Sequence, residues 1–390
     1  MRHARTFYEF FAGGGMARAG LGDDWRCLFA NDVSAMKART YIENWGHDHF
    51  VEGDVAAVTT TQLPSRADLV WASFPCQDLS LAGQYRGLGE ASSDVMTRSG
   101  TFWPFWSLII ALRKEGRGPR IIVLENVTGM LTSREGRDFQ AICDALSGQG
   151  YRYGAVVIDA NHFVPQSRAR LFFVAIADDV TGGDAVCRPD PDSLWHTAAL
   201  RTAQARLQGA AKDKWRWWSM PHPADRTMRF IDLVEDKPTG CRWHSQAETR
   251  RLLDMMTPLH LAKIAQVRTS GARHVGGVYK RTRTDEQGVK RQRAEARFDD
   301  TAGCLRTPAG GSSRQTILLV QGKLTRSRLL SPREAARLMG LADTYRLPGR
   351  YNDAYHIAGD GVCVPAVRYL AAHLLEPMLA GDTAAAAIAA

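Results

Sequence analysis

The sequence predicts an α/β protein built on a doubly wound sheet. Three observations carry that prediction. Short apolar runs alternate with amphipathic stretches as far as residue 177. A glycine triplet, Gly13-Gly14-Gly15, follows the first run and opens a helical stretch. Chemically active side chains recur at the ends of the runs: Asp32, Asp54, Cys76 and Glu125. Ligands in open α/β sheets bind at the carboxyl ends of strands, so the recurrence describes one edge.

In order, residues 7–11 predict a strand, 16–21 a helix, 27–30 a strand and 34–44 a helix. Further strands are predicted over 68–72 and 121–124, with helices over 102–112 and 138–146. Strands over 153–158 and 170–177 close the series. The alternation breaks at 178–192, where Gly, Asp and Pro gather and mark a loop or domain boundary. Beyond it come Trp215, Trp217 and Trp218, expected in the core of a smaller domain, then a helix over 246–267 and a basic stretch over 268–297. Ser331 and Pro332 mark a helix start, as cap and first residue. A final amphipathic helix covers 364–375.

The length of 390 residues predicts two domains. The net charge of +9 is uneven: residues 195–330 carry 26 Lys and Arg against 12 Asp and Glu, the remainder 24 against 29. A basic segment beside a mildly acidic body predicts a polyanion-binding module next to a catalytic one. The seven cysteines form no CxxC pair, so neither zinc nor a disulfide framework is indicated. No signal peptide or bilayer-spanning apolar run is evident, and a cytoplasmic location is expected.

Pro75-Cys76-Gln77 follows the apolar run 69–74. Proline ends the strand and stiffens the loop, holding a thiol at the sheet rim. By itself the tripeptide fits a buried structural cysteine better than a nucleophile. Glu125-Asn126 ends another run, and Gln166-Ser167-Arg168-Ala169-Arg170 precedes a third. A thiol, a carboxyl and two guanidiniums at strand ends of one sheet favour a shared site.

In these motifs the chain resembles the DNA cytosine-5 methyltransferases. FAGGG at 11–15 resembles their first motif, FPCQ their nucleophile motif, ENV their glutamate motif and QSRAR their QxRxR. LSPREAARLMGL resembles the helix bracing the small domain, GCLRTPAGGSSRQ the end of the target-recognition region, and GDGVCVPAV the last motif. The chain departs from the family pattern at Glu9 (usually Asp), Val33, Cys304 (usually Thr) and Asp360 (usually Asn).

The resemblance implies a Rossmann-like, S-adenosylmethionine-dependent methyltransferase sheet with a smaller, irregular target-recognition domain. Residues 1–190 and 358–390 would form the catalytic domain and 191–357 the DNA-binding domain. Cys76 would add to C6 of a flipped cytosine, Glu125 bond N3 and the exocyclic amine, Arg168 hold O2, and Arg170 support the loop. Phe11, Ala12, Gly13, Gly15, Asp32, Val33, Asp54, Val55, Pro75, Phe102, Asp360 and Val362 would bind S-adenosylmethionine. Gln77, Ser80, Gln84, Lys280, Arg281, Arg283, Arg293, Leu305 and Gly310 would contact duplex DNA. A metal-free monomer, acting alone or beside a companion restriction endonuclease, is implied. An RNA cytosine-5 methyltransferase and an inactive DNA-binding relative are the alternatives. A nucleotide-dependent oxidoreductase is disfavoured by the missing GxGxxG.

Overall fold

The computed structural model describes residues 4–75, 98–284, 288–306 and 314–381. The chain divides into two compact units. The first comprises Met1–Asp159, Ala169–Pro223 and Cys363–Ala390; the second comprises Ala160–Arg168 and Ala224–Val362.

The first unit is built on a seven-stranded sheet. Its strands are β1 (Arg5–Phe10), β2 (Trp25–Asp32), β3 (Phe50–Glu52), β4 (Leu69–Ala72), β5 (Ile121–Val127), β6 (Tyr151–Asp159) and β7 (Ala169–Ala177). Their order is β3-β2-β1-β4-β5-β7-β6. Strands β1 to β5 pair in parallel, and β7 runs antiparallel to both β5 and β6. Every residue of β4 is fully buried, which is why that strand reads as an unbroken apolar run. Ser34 caps the helix Ala35–Trp45, its side chain accepting from the Lys37 amide.

Residues 191–223, which the resemblance assigns to the smaller domain, pack with the first unit. Aromatic burial decides this. Trp218 is fully buried and its Nε1 donates to the Val174 carbonyl of β7 at 3.0 Å. Trp195 is also fully buried, and its carbonyl accepts from Val157 of β6 at 2.8 Å. The tryptophan cluster is therefore core of the larger unit, not of the smaller one. Within it β8 (Cys187–Arg188) pairs with β9 (Trp217–Trp218).

In the second unit β10 (Arg273–Thr284), β11 (Lys290–Arg297), β12 (Thr316–Gln321) and β13 (Leu324–Leu329) form an antiparallel sheet, ordered β11-β10-β12-β13. Val278, Ala294, Ala296, Leu318 and Val320 pack there against Leu252, Met256 and Ile264. Leu252 and Ile264 come from two helical segments where the sequence predicts one, and Met256 from the break between them. Gln246–Asp254 stops, Thr257 takes an extended conformation, and Pro258 opens Pro258–Thr269. A proline cannot continue a helix but suits its first turn.

Tyr351–Gly381 passes for a membrane span by length and composition, although no apolar run suggested one. Over half of its most apolar 18-residue stretch is buried inside the protein. It is also interrupted: Tyr351–Asp360 ends before Val364–Leu370 begins.

Candidate active site

The strand order reverses between β1 and β4, so the loops that leave them lie side by side. The Ser73 amide donates to the Phe10 carbonyl at 3.4 Å, tying the two exits together.

The loop after β1 is folded around Asp32. Its Oδ2 accepts from the Gly13 amide and its Oδ1 from the Ser34 amide, both at 2.9 Å. Gly13 and Gly15 have φ of 57° and 76°, where L side chains are strained. Phe11 has φ 56° without that excuse, a strain of about 1–3 kcal/mol held by its surroundings. A Cβ on Gly15 would lie 2.4 Å from Trp45 Nε1, whereas one on Gly13 would meet nothing within 4 Å. The loop is thus tight on its inner side and open on its outer side. Val33, next to Asp32, is 71% exposed although apolar. An open glycine cradle, a carboxylate and an exposed apolar side chain fit a ligand that carries a ribose and a flat ring.

Other expected cofactor residues are placed differently. Asp54 is exposed, and its Oδ1 accepts from the Ala56 amide at 2.9 Å, capping Val55–Ala57. Val55 is buried, and Phe102 is fully buried among Phe74, Trp103, Phe105 and Trp106. Ala12 is buried and Pro75 half-buried. Asp360 and Val362 belong to the second unit, Asp360 exposed and Val362 buried.

Glu125 lies inside β5 rather than at its end, because pairing with β7 continues to Val127. Glu125 faces Phe172 and Val127 faces Arg170, which puts Glu125 and Arg170 on one face as diagonal neighbours. Arg170 Nε lies 3.3 Å from Glu125 Oε1, with both side chains largely buried. Asn126, on the opposite face, donates from Nδ2 to the Phe74 carbonyl at 3.2 Å and so holds the approach to Pro75. Cys76, Gln77, Ser80, Gln84 and Gly310 lie outside the described residues.

Arg168, expected to hold the base, is directed elsewhere. It is 3% exposed. Its Nη1 donates to the Leu305 carbonyl at 3.1 Å and Cys304 Sγ at 3.4 Å. Its Nη2 donates to the Gly359 and Gly361 carbonyls at 3.0 and 2.7 Å. Leu305, expected at the DNA, is 1% exposed and its amide donates to Gln166 Oε1. Gln166 Nε2 in turn donates to the Leu338 carbonyl at 2.7 Å. Asn126 and Gln166 were missed as site-building residues, although both stand in the motifs already singled out.

Lys280, Arg281 and Arg283 are exposed on β10. Arg281 faces Arg293 and Arg283 faces Arg291 across β11. Glu295 of β11 offsets part of this charge, 3.5 Å from Arg281 and 2.6 Å from Arg283. Like charges directly opposed on a ribbon cost stability, so this face suits a polyanion.

A profile of C-5 cytosine-specific DNA methylases matches residues 5–376. The chain is 25% identical to the Type II methyltransferase M.NlaX of Neisseria lactamica over 367 residues, which is 93% of this chain and 94% of that one. It is 32% identical to M.BsuFI of Bacillus subtilis over 273 residues, 64% of this chain and 63% of the relative. Among solved structures, the Dnmt2 methyltransferase of S. pombe superposes with a TM-score of 0.56 at 16% identity, covering 96% of this chain and 99% of that one. The Entamoeba histolytica methyltransferase EhMeth reaches 0.59 at 12% identity, with the same coverage of each chain. Those two likenesses concern the fold. The profile match along almost the whole chain establishes that the protein belongs to the C-5 cytosine-specific DNA methylase family.

Proposed function

We propose that the protein methylates C5 of a cytosine flipped out of duplex DNA, using S-adenosylmethionine and a covalent bond from Cys76 to C6. The observation that carries this reading is the Glu125–Arg170 pair on the strand beside the one that leads into Cys76. Bound at the loop after β1, S-adenosylmethionine supplies an electrophilic methyl group. Gly13 and Gly15 let the backbone approach it, Asp32 accepts from its ribose, and Val33 covers the adenine.

Cytosine C5 is a poor nucleophile. As the Cys76 thiolate adds to C6, the π electrons of the C5–C6 bond move to C5, which then takes the methyl group. Glu125 bonds N3 and the exocyclic amine, stabilising the charge that develops. Arg170, rather than Arg168, holds O2, because Arg170 is the cation beside Glu125 while Arg168 is engaged by backbone carbonyls. Loss of the C5 proton and cleavage of the S–C6 bond release 5-methylcytosine.

The second unit would recognise the target. Its β10–β11 ribbon carries Lys280, Arg281, Arg283 and Arg293, which would contact phosphates. The likeness to Type II relatives supports a role in a restriction-modification system, and a companion endonuclease would belong to this reading.

Bisulfite sequencing of a host genome expressing the chain identifies the methylated site. A duplex with 5-fluorocytosine at that site should then trap the protein, since fluorine replaces the C5 proton whose removal expels the Cys76 sulfur from C6. Mass spectrometry should find the adduct on the Cys76 peptide. A methylated genome with no trapped adduct would overturn the covalent mechanism.

A further inference from the structure

Four junctions join the two units: 159/160, 168/169, 223/224 and 362/363. Arg168 reaches three of them from within the second unit. Its own carbonyl accepts from the Ala160 amide at 3.0 Å, beside the first junction. Its peptide bond to Ala169 is the second. Its Nη2 holds the carbonyls of Gly359 and Gly361, just before the fourth.

The same guanidinium reaches Leu305 and Cys304 through Nη1. Each terminal nitrogen carries two N–H groups, and each donates to two acceptors. Among the described residues these acceptors match the N–H groups that the two Nη atoms offer. A rigid fork that gathers separate segments at once is what arginine does and lysine cannot reproduce.

We propose that Arg168 is a positioning residue, a clasp that ties the Cys304-Leu305 segment to the chain junctions and couples target engagement to methyl transfer. The proposal rests on the methyltransferase reading. Ala169 opens β7, and Arg170 follows it in fixed register with Val127 and Ile158. A displacement at residue 168 therefore reaches the cation beside Glu125 through two peptide units. Misplacement of a catalytic group by about 1 Å costs about a hundredfold in rate.

Arg168→Lys in the full chain tests the clasp, with Arg168→Met as a second variant that removes every donor. Hydrogen exchange needs no activity. It should rise together in peptides spanning 303–306 and 359–363 while the core around Val278 and Leu318 keeps its protection. Single-turnover methyl transfer by Arg168→Lys should fall about a hundredfold, with the Kd values for duplex and for S-adenosylhomocysteine changed less than about threefold. Exchange rising throughout the second unit would make Arg168 a general core residue and overturn the clasp. Unchanged exchange with a lost rate would make it a substrate contact and would overturn the clasp as well. If the wild type transfers no methyl group to DNA, the methyltransferase reading fails, and the exchange pattern still decides the clasp.

Discussion

Arg170 Nε lies 3.3 Å from Glu125 Oε1 across antiparallel strands β5 and β7. The two residues are 45 positions apart, yet strand register makes them diagonal neighbours on one face. Each has a distinct predicted effect when altered. Glu125→Gln keeps a hydrogen-bonding side chain and should leave the fold intact while methyl transfer falls by about 10²–10³. Arg170→Ala leaves a buried carboxylate without its cation and should also lower stability, by about 3–5 kcal/mol. Chemical denaturation and single-turnover assays of both variants check this. Equal stability losses with unchanged rates would make the pair purely structural.

Gly15→Ala tests the cradle. The added methyl group would meet Trp45 Nε1 at 2.4 Å and Tyr41 Cε2 at 2.9 Å, at a φ of +76°. Cofactor affinity, read by titration calorimetry, should fall at least tenfold. Binding of duplex DNA should be unaffected. An unchanged cofactor Kd would remove this loop from the binding site.

Glu9 predicts a pH dependence. Burial raises its carboxyl from 4.5 to about 8, with nearby Arg18 acting in the opposite direction. Its Oε2 is buried without a hydrogen-bond partner. A carboxyl that holds its proton more tightly in the folded state stabilises the fold at low pH. That contribution is lost as pH rises from about 4.5 towards about 8. The Tm of the wild type should therefore drop relative to Glu9→Gln across this window. Parallel Tm curves for the two proteins would show that Glu9 does not titrate there.

The ribbon predicts a salt effect. Each phosphate contact contributes about −0.9 to the slope of log affinity against log salt. Lys280→Ala combined with Arg281→Ala should flatten that slope by about 1.8 and weaken binding to all duplexes alike. Loss confined to one sequence would indicate base reading instead, and an unchanged slope would place these cations off the DNA.

Much of the first unit is legible in the chain. Apolar strands, the glycine turn and the acid that ends β2 are local signals, read within a few residues of themselves. Helix starts at Ser34 and Ser331 are equally local, since a cap bonds its own first turn. The ribbon is harder to read. Its outer half carries charged or polar side chains on both faces, so no apolar alternation betrays a strand.

Reading along the chain gives the alternation of strands and helices, the motifs near the strand ends and hence the resemblance to the family. Tertiary structure decided which arginine of QSRAR stands beside Glu125 and which clasps the backbone of the second unit. It also decided that the tryptophan cluster belongs to the larger unit. The physical reason is the range of the interactions. Hydrogen bonding and hydrophobic periodicity along one segment are written in adjacent residues, whereas register between strands and the partners of a buried guanidinium exist only once distant segments have packed.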